Sequence, residues 1–221
     1  DYLARPAKLV PLTAAALPEV LDGGRRFVFT LRPGIFFADD PAFGGRPREL
    51  TAADYVYSLK RFYDPAIHTE HLYLFENEKI LGLSELRARA IAAKSRFDYD
   101  TPVEGLRALD RYRLELRLAA PSPRFVLLFA YGHTGAVARE VVERYGDEIM
   151  AHPVGTGPFV LAQWRRGSRI VLERNPRFRE QRFDAEPASD DADALAIAAA
   201  LRGRTLPLLD RVEVAVIDEA Q

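Results

Sequence analysis

Hydrophobic and polar positions alternate most regularly between residues 111 and 118. There Tyr112, Leu114, Leu116 and Leu118 interleave with Arg111, Arg113, Glu115 and Arg117. A period of two is that of a strand with one buried face and one wet face. The same period recurs from Arg26 to Arg32, with Phe27, Phe29 and Leu31 set against Val28, Thr30 and Arg32, and Pro33-Gly34 ends the run. Between them the spacing turns helical: Tyr55, Val56, Leu59, Phe62 and Tyr63 fall on one helix face, which predicts a core-packing helix over 52–63. Thr51 and Asp54 have the spacing of a capping box at its start, and Asp64-Pro65 ends it.

Further helices are expected near 85–93, capped by Ser84, and near 123–130, with proline at its first position. Phe125 to Phe129 is apolar on all sides, which predicts a buried segment. Val137, Val141, Val142 and Tyr145 mark a helix over 137–145 that Gly146 would cap, and Asp191 to Arg202 is alanine-rich and helix-favouring up to Gly203. Val212, Val214 and Val216 predict a last strand over 211–217. Residues 66–100 read as surface decoration, since insertions of this kind usually sit on exposed loops.

The stretch from Ala151 to Asn175 organises the second half. Gly155 and Gly157 flank Thr156, and Pro153 and Pro158 bracket all three. Glycine permits positive φ and close backbone approach, whereas proline fixes φ and removes a donor. Two strands, 159–164 and 169–174, then form a hairpin about Arg165 to Ser168, and Asn175-Pro176 closes it with a turn signal. Together these elements predict a mixed α/β fold with largely antiparallel strands.

Composition excludes more than it assigns. With 221 residues, one large domain or two small ones are possible, and 48% apolar residues are enough for a sizeable core. A formal net charge of −1 argues against a general nucleic-acid or anionic-membrane surface. Only Lys8, Lys60, Lys79 and Lys94 among the 31 basic residues are lysine, but acids are interleaved throughout, so coding bias explains the arginine excess better than phosphate recognition does. No cysteine is present, which removes disulfides and thiolate chemistry.

Candidate chemistry is sparse. His68 and His71 could share a helix face, but zinc needs three or four ligands and HExxH is absent, so no metal site is expected. His133 and His152, beside glycine and proline, read as satisfied or solvent-facing. The VGTGPF segment is not a phosphate loop, which requires GxxxxGK[ST]; Pro158 lacks the N–H that such a loop would offer. The acid pairs Asp39/Asp40 and Asp190/Asp191 have no partner base, and no GxSxG elbow occurs, so no catalytic residues and no enzyme are expected. The Gly155–Thr156–Gly157 loop and Phe159 are the candidate ligand-cleft or hinge positions, because a glycine backbone near a cleft is where a ligand can approach.

The segments FTLRPGIFF at 29–37, TAADYVYSLKRFYDP at 51–65, LRALDRYRLELRL at 106–118, VGTGPF at 154–159 with Trp164, LERNP at 172–176 and LPLLDRVEV at 206–214 occur in the order found in one family. On these the chain resembles the extracellular solute-binding proteins of ABC importers, family 5, the dipeptide/oligopeptide/nickel class. The resemblance implies a periplasmic-binding-protein-like fold of type II, in part. It implies an accessory α/β lobe over 1–150 and part of the first ligand lobe over 151–221, with most ligand-contacting residues downstream. It also implies a periplasmic or extracellular location and capture of a peptide or similar small solute. The expected partners are that solute and the ABC permease subunits, with no cofactor, no nucleic acid, and a membrane only through the permease or an outside anchor. Such receptors carry a signal peptide, and DYLARPAKLV at the start lacks that pattern, so the chain reads as an excised piece. The alternative is a structural or protein-interaction domain without a small ligand.

Overall fold

The computed structural model describes residues 8–217. They form two compact units, each discontinuous in sequence. One comprises Pro11–Pro33 and Leu50–Arg139; the other gathers, among the described residues, 8–10, Gly34–Glu49 and 140–217.

In the first of these, β1 (Glu19–Leu21), β2 (Arg26–Thr30), β3 (Leu106–Ala108) and β4 (Arg113–Arg117) form an antiparallel sheet in the order β1-β2-β4-β3. The register pairs Phe27 with Leu116 and Phe29 with Leu114, so the two alternating apolar runs share one face. Helix α1 (Ala52–Tyr63) packs against β3 and β4. Phe27 meets the Phe125 ring at 4.8 Å and Phe29 meets Phe129 at 4.7 Å. Burying such a face, more than helix propensity, stabilises a helix of this length. The capping box is present at α1: Asp54 Oδ2 accepts from the Thr51 N–H at 2.7 Å and from its hydroxyl at 2.8 Å.

Four sequence expectations change here. Helix α1 is buried on more than its apolar stripe: Lys60 is nearly solvent-free and donates to the Tyr99 and Thr101 carbonyls, both at 2.7 Å. Burial holds the Lys60 ammonium below its usual range, although Asp98 and Asp100 pull the other way. Residues 66–100 do not merely decorate the surface. Helix α2 (Leu72–Glu76) brings Phe75, and α3 (Leu83–Ala93) brings Leu83 and Leu86, into the core. Ser84 lies inside the first turn of α3 rather than at its cap, because Gly82 supplies a left-handed residue (φ 86°) one position before the helix. Finally, Phe125–Ala130 is a 3₁₀ helix that buries Phe125 and Leu128 but leaves Leu127 exposed, since three residues per turn put only one side on the core.

The other unit contains α4 (Arg139–Tyr145), which Gly146 ends at φ 50°. It also holds the antiparallel sheet β5-β6-β7, formed by Phe159–Arg165, Arg169–Arg174 and Arg211–Ala215. Helix α5 (Ala192–Leu201) lies between β6 and β7 in sequence, and Asp191 caps it by accepting from the Ala194 N–H at 2.9 Å. No helix among the described residues is long and apolar enough to cross a membrane.

Candidate functional site

The β5–β6 hairpin forms as its sequence suggests. Arg165 pairs with Arg169, the Ser168 N–H returns to the Arg165 carbonyl at 3.1 Å, and Gly167 takes φ 68° in the turn. A register shift between Leu161 and Gln163 puts one extra residue, Ala162, into β5. Trp164 remains about one-third exposed, with the Arg166 guanidinium 5.1 Å from its ring centroid.

The loop before the hairpin is fixed from its carbonyl side. Gly155 O accepts from the Ala38 N–H at 2.9 Å, Thr156 O accepts from Arg179 at 3.4 Å, and Gly157 O accepts from the Asn175 side-chain amide at 2.8 Å. Pro158 O accepts from the Asn175 backbone N–H at 2.9 Å. Asn175 is buried, and its side-chain carbonyl accepts from the Arg177 N–H at 2.9 Å. Its side chain therefore holds the loop and the following turn together. Sequence reasoning read Asn175 as a turn residue only. The available signal was an asparagine directly before proline, whose side chain can hydrogen-bond the backbone two residues on.

Of the predicted site residues, Gly155 is exposed, while Thr156, Gly157 and Phe159 are half-buried, and Phe159 opens β5 opposite Arg174. The glycines do not act as expected from their freedom of φ. Neither has a positive φ; a Cβ on Gly157 would meet nothing within 4 Å, and one on Gly155 only the Gly157 nitrogen at 4.0 Å. Prolines and carbonyl contacts shape the loop, and the space beside both glycines is open.

The neighbouring acids are committed to structure. Asp39 pairs with Arg177 at 3.0 Å. Asp40 caps the 3₁₀ turn Pro41–Phe43 and accepts from the Tyr145 hydroxyl at 3.0 Å. Tyr145 in turn stacks on His152, with ring centroids 3.8 Å apart. In the other unit, His71 stacks on His133 at 4.3 Å. Among the described residues, no three metal-capable side chains gather. The loop thus offers hydrogen bonds and open backbone, without a nucleophile–base pair.

Comparison with known proteins gives this geometry a context. The sequence model described as bacterial extracellular solute-binding proteins, family 5 Middle, matches residues 8–221. The chain is 30% identical over 164 residues to the probable deoxycholate-binding periplasmic protein YgiS of Escherichia coli (strain K12), covering 73% of this chain and 28% of that protein. It is 31% identical over 131 residues to the periplasmic oligopeptide-binding protein OppA of Salmonella typhimurium, covering 58% of this chain and 23% of the relative. Among solved structures, a periplasmic oligopeptide-binding protein (OppAIV) of Borrelia burgdorferi superposes with a TM-score of 0.65 at 20% identity, over 94% of this chain and 34% of that one. The chain spans about a quarter to a third of the length of these proteins.

Proposed function

The chain belongs to the bacterial extracellular solute-binding proteins of family 5, and from that membership we propose that it contributes to capturing a peptide or similar small solute outside the cytoplasm and delivering it to the permease of an ABC importer. Its fold is the periplasmic-binding-protein-like type II fold, in part. The observation that carries the functional reading is the match over 8–221, which takes in the clamped loop, Trp164 and the Asn175-Pro176 turn. Relatives named for oligopeptide and glutathione binding support a peptide-like solute.

In this reading the unit of Pro11–Pro33 and Leu50–Arg139 supplies the accessory lobe, in place of the 1–150 bounds expected from the sequence, and the unit that holds the β5-β6-β7 sheet supplies part of the first ligand lobe. Such receptors enclose ligand between lobes, the logic of hinge closure. Gly155, Thr156, Gly157 and Phe159 would line the cleft side, where open backbone lets a solute approach. The role is binding; no residue is assigned to catalysis, and no cofactor or metal is invoked.

Native mass spectrometry of the protein isolated from its own cells tests the reading. A retained, peptide-sized solute, released on unfolding, is the expected result. Protein that carries none, and whose melting temperature no peptide mixture raises, would overturn it.

A further inference from the structure

The clamped loop has an asymmetry that bears on what it binds. The carbonyls of Gly155, Thr156, Gly157 and Pro158 each accept a hydrogen bond from elsewhere in the chain. The N–H groups of Val154, Gly155, Thr156 and Gly157 donate to no acceptor among the described residues. Prolines at 153 and 158 bound the run, so the four donors are successive and the flanking positions add none. Backbone N–H groups are obligatory donors, and most that are withdrawn from water find a partner. Here the unpartnered donors run through Gly155 and Gly157, where an added Cβ would meet no side chain within 4 Å.

Resting on the solute-binding reading, we infer that the 154–157 loop is a donor edge that receives acceptor oxygens of the solute, a peptide carbonyl or a carboxylate, and that Asn175 positions it. A donor-only group such as an ammonium is matched less well there, because the carbonyls of Gly155 to Pro158 each already accept a hydrogen bond. Asn175 acts through the loop: its amide holds the Gly157 carbonyl and its backbone N–H holds the Pro158 carbonyl. The Ala38 and Arg179 contacts hold the Gly155 and Thr156 carbonyls, and across a trans peptide the N–H of the same unit, that of Thr156 and of Gly157, points the opposite way. The two Asn175 contacts anchor the C-terminal end of the loop, where Pro158 supplies no N–H. A carboxylate would gain most, since hydrogen bonds to ionised acceptors are roughly twice as strong as neutral ones.

The test is a backbone-amide NMR titration of the 221-residue chain with trialanine, trialanine amide, acetate and methylammonium. Saturable downfield shifts of the 154–157 amide protons with trialanine are expected, and methylammonium should leave them in place. A response to the amide identifies a carbonyl acceptor, and a response to acetate a carboxylate; either supports the inference. Movement elsewhere with these four amides unmoved, or an equal response to methylammonium, overturns the donor edge while leaving solute binding intact. If no resonance moves with any probe, the donor edge is overturned; the solute-binding reading is judged separately, by the solute that the protein retains from its own cells. Asn175→Asp removes the amide donor but keeps the acceptor for Arg177, and should weaken the trialanine response about tenfold with the remaining spectrum unchanged. An unweakened response would remove Asn175 from the inference, and Asn175→Ala provides a second variant should the aspartate disturb folding.

Discussion

Arg26 Nε donates to Glu115 Oε2 at 2.5 Å, from β2 to β4, and the carboxylate it meets is 1% exposed. Arg107 on β3 donates to the other oxygen of the same carboxylate, and Arg117 does so at 3.2 Å. A buried carboxylate is tolerated only when paired and hydrogen-bonded. Burial alone would raise the Glu115 pKa, but the hydrogen bonds from Arg107 and Arg26 outweigh it and hold the group below its ordinary 4.5. Because the folded pKa is depressed, this stabilisation is present above pH 4.5 and lost as pH falls through the folded value. Glu115→Ala should cost about 3 kcal/mol at pH 7 in urea melts, the low end for a broken buried pair because the arginines are half-exposed. The variant should also lose less further stability than the parent below pH 4.5. Equal acid sensitivity in the two proteins would mean that the cluster is not a stabilising unit.

Alternation made β4 legible and at the same time hid this cluster. A period of two assigns Glu115 to the wet face, and that face is where it lies. What covers it comes from Arg26, 89 positions away in sequence, and from Arg107 on another strand. The same limit applies at Asn175, whose partners at 157 and 158 become neighbours only once the hairpin has closed. The apolar faces that carry Phe27, Phe29, Leu114 and Leu116 were readable because each follows from a local period; their pairing across β2 and β4 was not. Gly155 and Gly157 were readable as positions but not as roles, since residue type does not reveal φ.

Gly105 had no signal at all. A Cβ there would meet the Leu81 amide nitrogen, with the Leu81 carbonyl oxygen at 2.6 Å and the Arg117 carbonyl oxygen at 2.8 Å. All three are backbone atoms held in hydrogen bonds: the Gly105 N–H donates to Leu81 O at 2.8 Å, and the Leu81 N–H donates to Arg117 O at 3.1 Å. Backbone cannot swing aside as a flexible side chain can, so Gly105→Ala should cost about 3 kcal/mol or more. A melting temperature equal to the parent's would show that β3 can shift without penalty.

Leu116 and Leu127 make a matched contrast. Leu116 is fully buried on the core face of β4, while Leu127 is 46% exposed on the 3₁₀ helix. Leu116→Ala should cost about 2–5 kcal/mol, the range for a buried leucine that leaves a cavity. Leu127→Ala should stay within about 0.5 kcal/mol. Denaturant melts that rank the two in the opposite order would place the core on the wrong side of this unit.

His133 gives a pH-dependent outcome. Burial first, and the His71 ring stacked on it second, hold its pKa below the ordinary 6.5. The folded state therefore resists a proton that the unfolded chain accepts, and stability declines as pH falls through 6.5 toward the folded value. In His71→Gln the neighbouring charge is gone, so His133 should titrate closer to 6.5, read from its ring proton shifts. An unchanged titration would assign the whole depression to burial.

The loop glycines separate structural from ligand-facing roles. Gly167 sits at φ 68°, where an L side chain is strained, so Gly167→Ala should cost about 1–2 kcal/mol. Gly155 and Gly157 lie outside that region with open space at the Cβ position, so alanine at either should change stability by no more than about 0.5 kcal/mol. A new methyl group would nevertheless stand where a solute has to approach the 154–157 donors. Gly157→Ala should therefore leave the melt unchanged and weaken the amide response to trialanine. Thermal melts and the NMR titration, run on the same sample, check both halves. A destabilised Gly157→Ala would show that the loop needs its glycine for folding. An unweakened response would show that solute reaches the loop from a side this methyl group does not cover.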